Sequence, residues 1–128
     1  MEQKTHIKAQ RDFIGQVLEI QTDYFSRVSL VTKEEMVVDE YGLIHGGFTF
    51  GLADFAAMLA VNHPNVVLVS ANVKFTKPVK LGDILIAIGQ VLEKSESERL
   101  VHVQIFVAER TVFEGDFRCK ILSKHCLA

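Results

Sequence analysis

The sequence predicts an α+β domain in which a curved antiparallel sheet of five to six strands wraps around one long buried helix. The helix is predicted from residues 47–61, which contain eleven apolar side chains and a single charge and so have no continuous polar face. Such a helix must be enclosed by protein. The sheet is predicted from the region after Pro64, where apolar and polar residues alternate in the period-two pattern of strands. Because a sheet covers only one side of a helix, we also expect a homodimer, or a tetramer formed from two dimers.

Length and composition exclude several classes of protein. A chain of 128 residues has the size of one domain, and its 48% apolar and 23% charged residues are typical of soluble globular proteins. Fourteen basic and sixteen acidic residues leave a net charge of −2, which excludes nucleic-acid binding through bulk positive charge. The first eleven residues are polar and lack the apolar stretch of a secretory signal. Cys119 and Cys126 form no CxxC pair, so we expect a cytoplasmic protein.

Residues 42–61 form the one stretch apolar enough to be considered as a membrane span. The stretch contains Asp54, and an aspartate at the middle of a bilayer costs about 2.5–3.5 kcal/mol. We therefore interpret it as a helix buried in protein and expect no membrane partner.

The chain before the helix is predicted to contain a polar lead-in and two strands. Residues 1–12 form the lead-in, and residues 13–128 form a single domain. The predicted elements that follow are strands at 13–20 and 24–32, a solvated turn at 33–35 and an extended segment at 36–38. The helix opens at the glycines after His45 and ends near residues 62–64, because Pro64 cannot continue a helix.

Four strands are predicted after the helix. In the first, one face carries Val67, Val69, Ala71, Val73 and Phe75, and the other carries Ser70, Asn72, Lys74 and Thr76. Residues 84–92 are apolar on both faces, as in a central strand, and a polar hairpin loop follows at 95–98. The inward side chains of the last two strands are expected to be Val101, Val103, Ile105, Val107, Phe113, Phe117, Cys119 and Ile121.

Asp54 is the only ionisable residue in the predicted helix. An unpaired carboxylate in apolar surroundings is costly, so the pKa of Asp54 is expected to be raised. One interpretation is a general base or nucleophile held in a dry site. The other is a helix residue that faces a water pocket or caps a neighbouring turn.

The segment His45-Gly46-Gly47 precedes the helix directly. Two glycines let another molecule approach the backbone, and the free N–H groups at a helix start can form an oxyanion hole. An ordinary loop that needs small residues would have the same composition.

The spacing of the two features constrains any shared site. Asp54 lies eight residues after Gly46, which is about 12 Å along one helix. A base and an oxyanion donor must each lie about 3 Å from the reacting centre. The two groups of one chain cannot meet, so we predict two equivalent sites, each formed where antiparallel helices of two subunits face each other.

Two motifs resemble a known family. The segment HGGFTFGLAD at 45–54 resembles the H-G-G-x₆-D signature of hot-dog-fold acyl-CoA thioesterases of the phenylacetate-degradation type. Phe75-x-x-Pro78, followed by Leu81-Gly82-Asp83, is similar to the next landmark of that family, and the resemblance covers residues 13 to 122.

The resemblance implies a hot-dog fold and a set of site residues. Asp54 would be the base or nucleophile, the Gly46 amide the oxyanion donor, and His45 a residue that shapes the loop. The substrate-binding candidates are Gly47, Asp39, Ser70, Asn72 and Lys77. Relatives often carry asparagine at the position of Asp39 and a hydroxyl at that of Leu68. Lys77 belongs to a group of lysines around Pro78. These lysines either contact the phosphates of coenzyme A or are simply exposed to solvent at the end of a strand.

These features predict an acyl-CoA or related acyl-thioester hydrolase that releases an acid and a free thiol. No cofactor and no metal is predicted, since coenzyme A enters only as part of the substrate. His6, His63, His102 and His125 lack metal-ligand spacing and are interpreted as surface or strand residues. The alternative function, which Asp39 favours, is a regulatory hot-dog protein that binds acyl-CoA without hydrolysing it.

Overall fold

The computed structural model describes residues 1–128, which form two α-helices and six strands. The helices are α1 (Arg11–Ile14) and α2 (Gly46–Val61), and the strands are β1 (Gln16–Gln21), β2 (Phe25–Val31), β3 (Val66–Phe75), β4 (Ile84–Lys94), β5 (Glu98–Val107) and β6 (Arg110–Ile121). All strands pair antiparallel in one sheet of order β1-β2-β4-β5-β6-β3. The curved sheet wraps α2, which confirms the predicted α+β, hot-dog architecture.

Helix α2 lies against the middle of the sheet without a gap. Ser26 on β2 donates its hydroxyl hydrogen to the Ala56 carbonyl at 2.6 Å. A Cβ atom at Gly89 on β4 would lie only 2.9 Å from the same oxygen. The glycine therefore permits backbone-to-backbone contact at the centre of the core, where most of the second half of α2 is fully buried.

The ends of α2 agree with the predicted ones. His45 is the N-cap residue, and Asn62 ends the helix in the left-handed conformation with φ of 53°. The Asn62 side chain accepts a hydrogen bond from the Lys4 amide at 2.7 Å and donates to the Glu2 carbonyl at 2.7 Å. The first residues of the chain are therefore tied to the end of the central helix.

Two predicted extended segments are wrong in part. Phe13 and Ile14 belong to the helical turn α1, so β1 begins at Gln16 and not at residue 13. Met36 lies in a 3₁₀ turn, and Val37 makes only an isolated bridge to Ile44. Apolar runs this short do not distinguish a strand from a helical turn, and the packing of the rest of the chain decides.

A β-bulge in β3 corrects the predicted division of that strand into two faces. Leu68 pairs with Cys119 and Ser70 pairs with Arg118, so Val69 is an extra residue in the ladder. Val66 and Leu68 face the helix before the bulge, and Ala71, Val73 and Phe75 do so after it. Val67 and Val69 therefore do not share a face with these residues, and Val69 is 63% exposed.

None of the helices is both long and apolar enough to span a lipid bilayer.

Candidate functional site

The start of α2 presents one backbone N–H group without an acceptor in its own chain. The His45 ring accepts a long hydrogen bond from the Gly47 amide at 3.5 Å. The Gly46 amide precedes it at the first helical position, where no carbonyl of the helix can be reached. A Cβ atom at Gly47 would lie 3.0 Å from the His45 Nε2 atom, so glycine makes room for the capping ring.

Phe75 connects this loop to the end of β3. A Cβ atom at Gly46 would contact the Phe75 ring at 3.4 Å, and that ring packs edge-on against Phe113 with centroids 5.1 Å apart. Phe75 is still 54% exposed. Lys77 lies two residues further along the chain and is also exposed.

Asp39 has a local structural role in the loop that leads to His45. Its carboxylate oxygen Oδ1 accepts hydrogen bonds from the backbone amides of Tyr41 at 2.9 Å and Leu43 at 3.1 Å. An asparagine would make the same two bonds through its own Oδ1. The acidic residue therefore makes loop hydrogen bonds that an asparagine at this position could also make.

Asp54 lies two turns along α2 from the Gly46 amide. Its Oδ1 atom is buried and has no hydrogen-bond partner, the only such side-chain atom in the protein. Burial raises the pKa of Asp54 above its ordinary value, and the charge of His6 opposes this shift. A buried carboxylate oxygen without a partner is costly for stability and is typical of a group that serves a ligand.

The helix face that carries Asp54 is not fully covered by the sheet. Gly47, Gly51 and Asp54 follow the i, i+4, i+7 spacing of one helix face. A Cβ atom at Gly51 would find no other atom within 4 Å. Space for a second molecule therefore remains between the helix start and the carboxylate.

Two further titratable side chains lie near Asp54, and sequence reasoning did not connect them with it. His6 packs against Phe55, with ring centroids 6.1 Å apart, and its ring is half-buried rather than on the open surface. Cys119 extends inward from β6, and burial together with the charge of Asp54 raises its pKa to about 12. Both residues are more than 45 positions from Asp54 in the sequence, so no local motif could have indicated their proximity.

A cavity of about 490 Å³ opens beside the N-terminal segment. His6 and other residues of that segment form one wall, and Val66 and Val67 at the start of β3 form another. His6 thus lines the cavity and is also near enough to Asp54 for its charge to act on the carboxylate.

Ser70 and Asn72 lie on the outer face of the sheet. They pair with Arg118 and Asp116, whereas the neighbouring residues of β6, Phe117 and Cys119, are buried against the helix. Ser70 and Asn72 contribute to a separate surface pocket of about 210 Å³. The structure brings His45, Gly46, Gly47, Asp39 and Lys77 to one end of α2, but it does not bring Ser70 or Asn72 to the Asp54 carboxylate within one protomer.

The carboxylate predicts a measurable effect on stability. Asp54 binds its proton more tightly in the folded protein, so the free energy of unfolding should fall as the pH rises from about 4, the unfolded pKa, through the raised folded pKa. Asp54→Asn removes this penalty. We expect a gain of about 1 kcal/mol at pH 7.5, or a Tm increase of about 2–5 °C, and no gain at pH 3.5. Thermal unfolding at one fixed protein concentration checks this, and an Asp54→Asn variant less stable than wild type at pH 7.5 would contradict it.

A helix enclosed by a curved sheet, with a free amide at its start and a buried carboxylate oxygen on its partly covered face, defines a hot-dog domain with a candidate acyl-transfer site. Residues 41–114 match the model of the Thioesterase superfamily, which is more than half of the chain. The protein belongs to the Thioesterase superfamily.

Two relatives are much longer than this chain. A protein named Methylthioribose-1-phosphate isomerase, from Aquifex aeolicus, is 47% identical over 91% of this chain, which covers 25% of its length. Transcription factor FapR from Halalkalibacterium halodurans is 28% identical over 83% of this chain and 57% of its own length. The chain thus spans between a quarter and little more than half of these relatives.

Solved structures cover the whole fold. Protein PH1136 from Pyrococcus horikoshii is 49% identical with a TM-score of 0.97, over 100% of this chain and 98% of that one. The PaaI protein from the phenylacetic acid degradation operon of E. coli is 20% identical with a TM-score of 0.83, over 94% and 88% of the two chains. A hypothetical thioesterase protein from Streptococcus pneumoniae, solved with coenzyme A, is 21% identical with a TM-score of 0.77, over 86% and 87%. The last two share the fold.

Proposed function

We propose that the protein hydrolyses acyl-CoA or a related acyl thioester, at a site formed by Asp54 of one protomer and the Gly46 amide of its partner. The observation that carries the proposal is the buried Asp54 oxygen without a partner, on a helix that also begins with an unpaired amide. The two groups are about 12 Å apart along the helix, so one thioester cannot contact both within a single chain.

Strand β3 supports the way in which two chains would combine. It is an edge strand of ten residues, and its outer backbone groups are free to pair with another strand. If two copies pair antiparallel about the strand centre, Val66 of one chain lies opposite Phe75 of the partner. An edge of this length with an exposed apolar bulge residue favours such a homodimer.

This pairing would also place the two halves of the site together. The partner's Gly46 loop lies beside the partner's Phe75, because the two residues are in contact within each protomer. Val66 lines the cavity on which His6 also lies, near Asp54. The partner's Gly46 amide would therefore approach the cavity from the side of the strand and face the carboxylate.

The chemistry follows from these two groups. The Gly46 N–H donates a hydrogen bond to the thioester carbonyl oxygen and stabilises the negative charge that develops on it. By one route the Asp54 carboxylate takes a proton from water, whose oxygen bonds to the acyl carbon. By the other, the carboxylate attacks that carbon itself and water then cleaves the anhydride. In both routes the C–S bond breaks, and the thiolate leaves and takes up a proton.

The thiol carrier of the acyl group is proposed from the charge of Lys77 and from a solved structure of the same fold. Lys77 is exposed two residues beyond Phe75 and can meet a phosphate group of coenzyme A. The hypothetical thioesterase protein from Streptococcus pneumoniae, which has the same fold, was solved with coenzyme A. These observations favour coenzyme A as the carrier of the acyl group.

Thiol release tests the proposed function directly. Purified protein is incubated with a panel of acyl-CoAs that differ in chain length and in aromatic or aliphatic character, and free thiol is followed with a chromogenic disulfide. Turnover of at least one member is expected. Saturable binding of acyl-CoA with no release from any member would contradict hydrolysis.

That contrary outcome would support the second candidate function, a regulatory protein that binds acyl-CoA. The observation that favours it is the similarity to transcription factors named FapR, at 28% identity over 83% of this chain. Asp39 is acidic where thioesterases of this type often carry asparagine, although its hydrogen bonds to the loop are those that asparagine would make.

The proposed interface predicts a change in oligomeric state. Val69→Glu should weaken the dimer and lower activity, because its exposed side chain lies near the two-fold axis and two negative charges would meet there. Sedimentation velocity at micromolar concentration should show a monomer with unchanged far-UV circular dichroism. It also distinguishes a wild-type dimer from a tetramer.

Leu18→Glu is the matched control for this experiment. Leu18 is the bulge residue of β1, the other edge strand, and is 40% exposed. The Leu18→Glu substitution should leave the dimer intact. A wild-type monomer, or equal dissociation by both substitutions, would contradict pairing through β3.

A further inference from the structure

We propose that His6 is a positioning residue for Asp54, and that the segment of residues 1–10 which carries it is part of the site. The inference rests on the proposed role of Asp54 and extends it by a residue that neither the helix motif nor the strands contain. It is supported by the way the segment is held, by where the ring lies and by the absence of any other countercharge near the carboxylate.

The segment is fixed by hydrogen bonds at several points. Asn62 binds the backbone of Glu2 and Lys4, and it also donates to the Thr22 hydroxyl at 2.9 Å. The Gln3 amide donates to the Thr5 carbonyl at 2.9 Å and to the His6 carbonyl at 3.2 Å. These bonds order residues that composition alone describes as a polar tail.

The backbone turns sharply at the residue in question. His6 has a positive φ of 56°, a conformation that costs energy for a residue with a Cβ atom. Thr5, directly before it, is only 6% exposed. The buried threonine and the turn together direct the His6 ring onto Phe55, the neighbour of Asp54 in α2.

One nitrogen of the ring is already occupied. The His6 Nδ1 atom shares a hydrogen bond with the Thr5 hydroxyl at 2.8 Å. The other nitrogen, Nε2, makes no hydrogen bond within the chain and is left for a proton or a ligand. Thr5 therefore orients the ring, as a hydrogen bond to one histidine nitrogen commonly does.

His6 is the one group that can offset the negative charge of Asp54. Two titratable groups interact electrostatically with the carboxylate. The charge of His6, in the N-terminal segment, acts on the pKa of Asp54, and the charge of Asp54 acts on the pKa of Cys119 in β6. With a pKa raised to about 12, the Cys119 thiol stays neutral at every pH at which the enzyme would work. Burial lowers the pKa of His6, and the Asp54 carboxylate opposes that shift.

The consequence for catalysis is a defined acid limit. Asp54 must be ionised to act as base or nucleophile, and burial alone would keep it protonated to a higher pH. A protonated His6 nearby favours the ionised carboxylate. His6 thus extends activity towards lower pH without contacting the thioester.

The test combines a titration with a rate profile. The His6 imidazole is titrated by NMR in wild-type protein and in Asp54→Asn, where we expect its pKa to be lower because the carboxylate is gone. His6→Asn tolerates the positive φ and removes the ring. In a plot of kcat/KM against pH, the fall in activity on the acid side should begin at higher pH for His6→Asn than for wild type. The variant should therefore lose most activity, relative to wild type, at acidic pH.

The control and the contrary results separate this inference from the proposed function. His102→Asn removes an imidazole from the outer face of the sheet, where it binds Asp116 at 2.8 Å, and should leave the limb unchanged. A His6→Asn rate that is reduced equally at all pH values would indicate a merely structural role and overturn the inference. An equal His6 pKa in wild type and Asp54→Asn would also overturn it. If no acyl-CoA is hydrolysed, the proposed function is contradicted. The NMR titration still decides, independently of activity, whether His6 and Asp54 are coupled.

Discussion

Asp54→Asn is expected to lower the rate of thiol release from acyl-CoA by about 10²–10⁴-fold, the usual contribution of a positioned base. Asparagine keeps the size of the side chain but cannot take a proton or act as a nucleophile. Binding should remain, because the carboxylate is proposed to act on water or on the acyl carbon and not on the carrier. Acyl-CoA affinity by calorimetry and turnover by thiol release are therefore measured on the same preparation.

A matched control uses the same chemical change elsewhere. Asp12→Asn alters an exposed carboxylate in the first turn of α1 and should retain wild-type turnover. A loss of stability cannot account for the inactivity of Asp54→Asn, since that variant is expected to be more stable at neutral pH. Turnover within threefold of wild type would remove Asp54 from the mechanism.

Gly46→Pro is expected to lower turnover by about 10²–10³-fold, the value of one oxyanion donor. Proline lacks the N–H group but is well tolerated at the first position of a helix, which Gly46 occupies. His45 already has ψ of 127°, the extended conformation that a residue before proline prefers. The substitution should therefore remove the donor with little change in thermal stability, which differential scanning fluorimetry checks.

Mixed dimers test whether the two groups come from different chains. A protomer with Asp54→Asn and a protomer with Gly46→Pro, co-expressed with different affinity tags, are purified as the heterodimer. One of its two sites then contains both wild-type groups, so turnover should recover to about half that of wild-type dimer. If each site lay within one protomer, both sites would be defective, and the heterodimer would be as inactive as either parent.

The sequence predicts the helix and the sheet well because their signals are local and repeated. Ten buried side chains in α2 and the alternation along β5 and β6 leave few ways to bury the apolar surface. The bulge at Val69 could not be predicted in this way, because one inserted residue changes the facing of a strand without changing its composition. The assignment of Val67 and Val69 to the same face as Ala71, Val73 and Phe75 failed for that reason.

The candidate site divides in a similar manner. The helix-start loop and Asp54 are found from a motif within ten residues. His6 is separated from Asp54 by 48 positions, and its neighbourhood depends on how Asn62 holds the start of the chain. Asp39 is the opposite case, since its role is local, but only the hydrogen bonds to Tyr41 and Leu43 identify it as a turn residue.

The backbone contact between Gly89 and Ala56 limits how such a domain can diverge. A side chain at position 89 would clash with the Ala56 carbonyl and push α2 off the sheet, which would also move Asp54 and so disturb the proposed site. Proteins that keep this packing are therefore expected to retain small residues beneath the helix at the positions of Ser26 on β2 and Gly89 on β4.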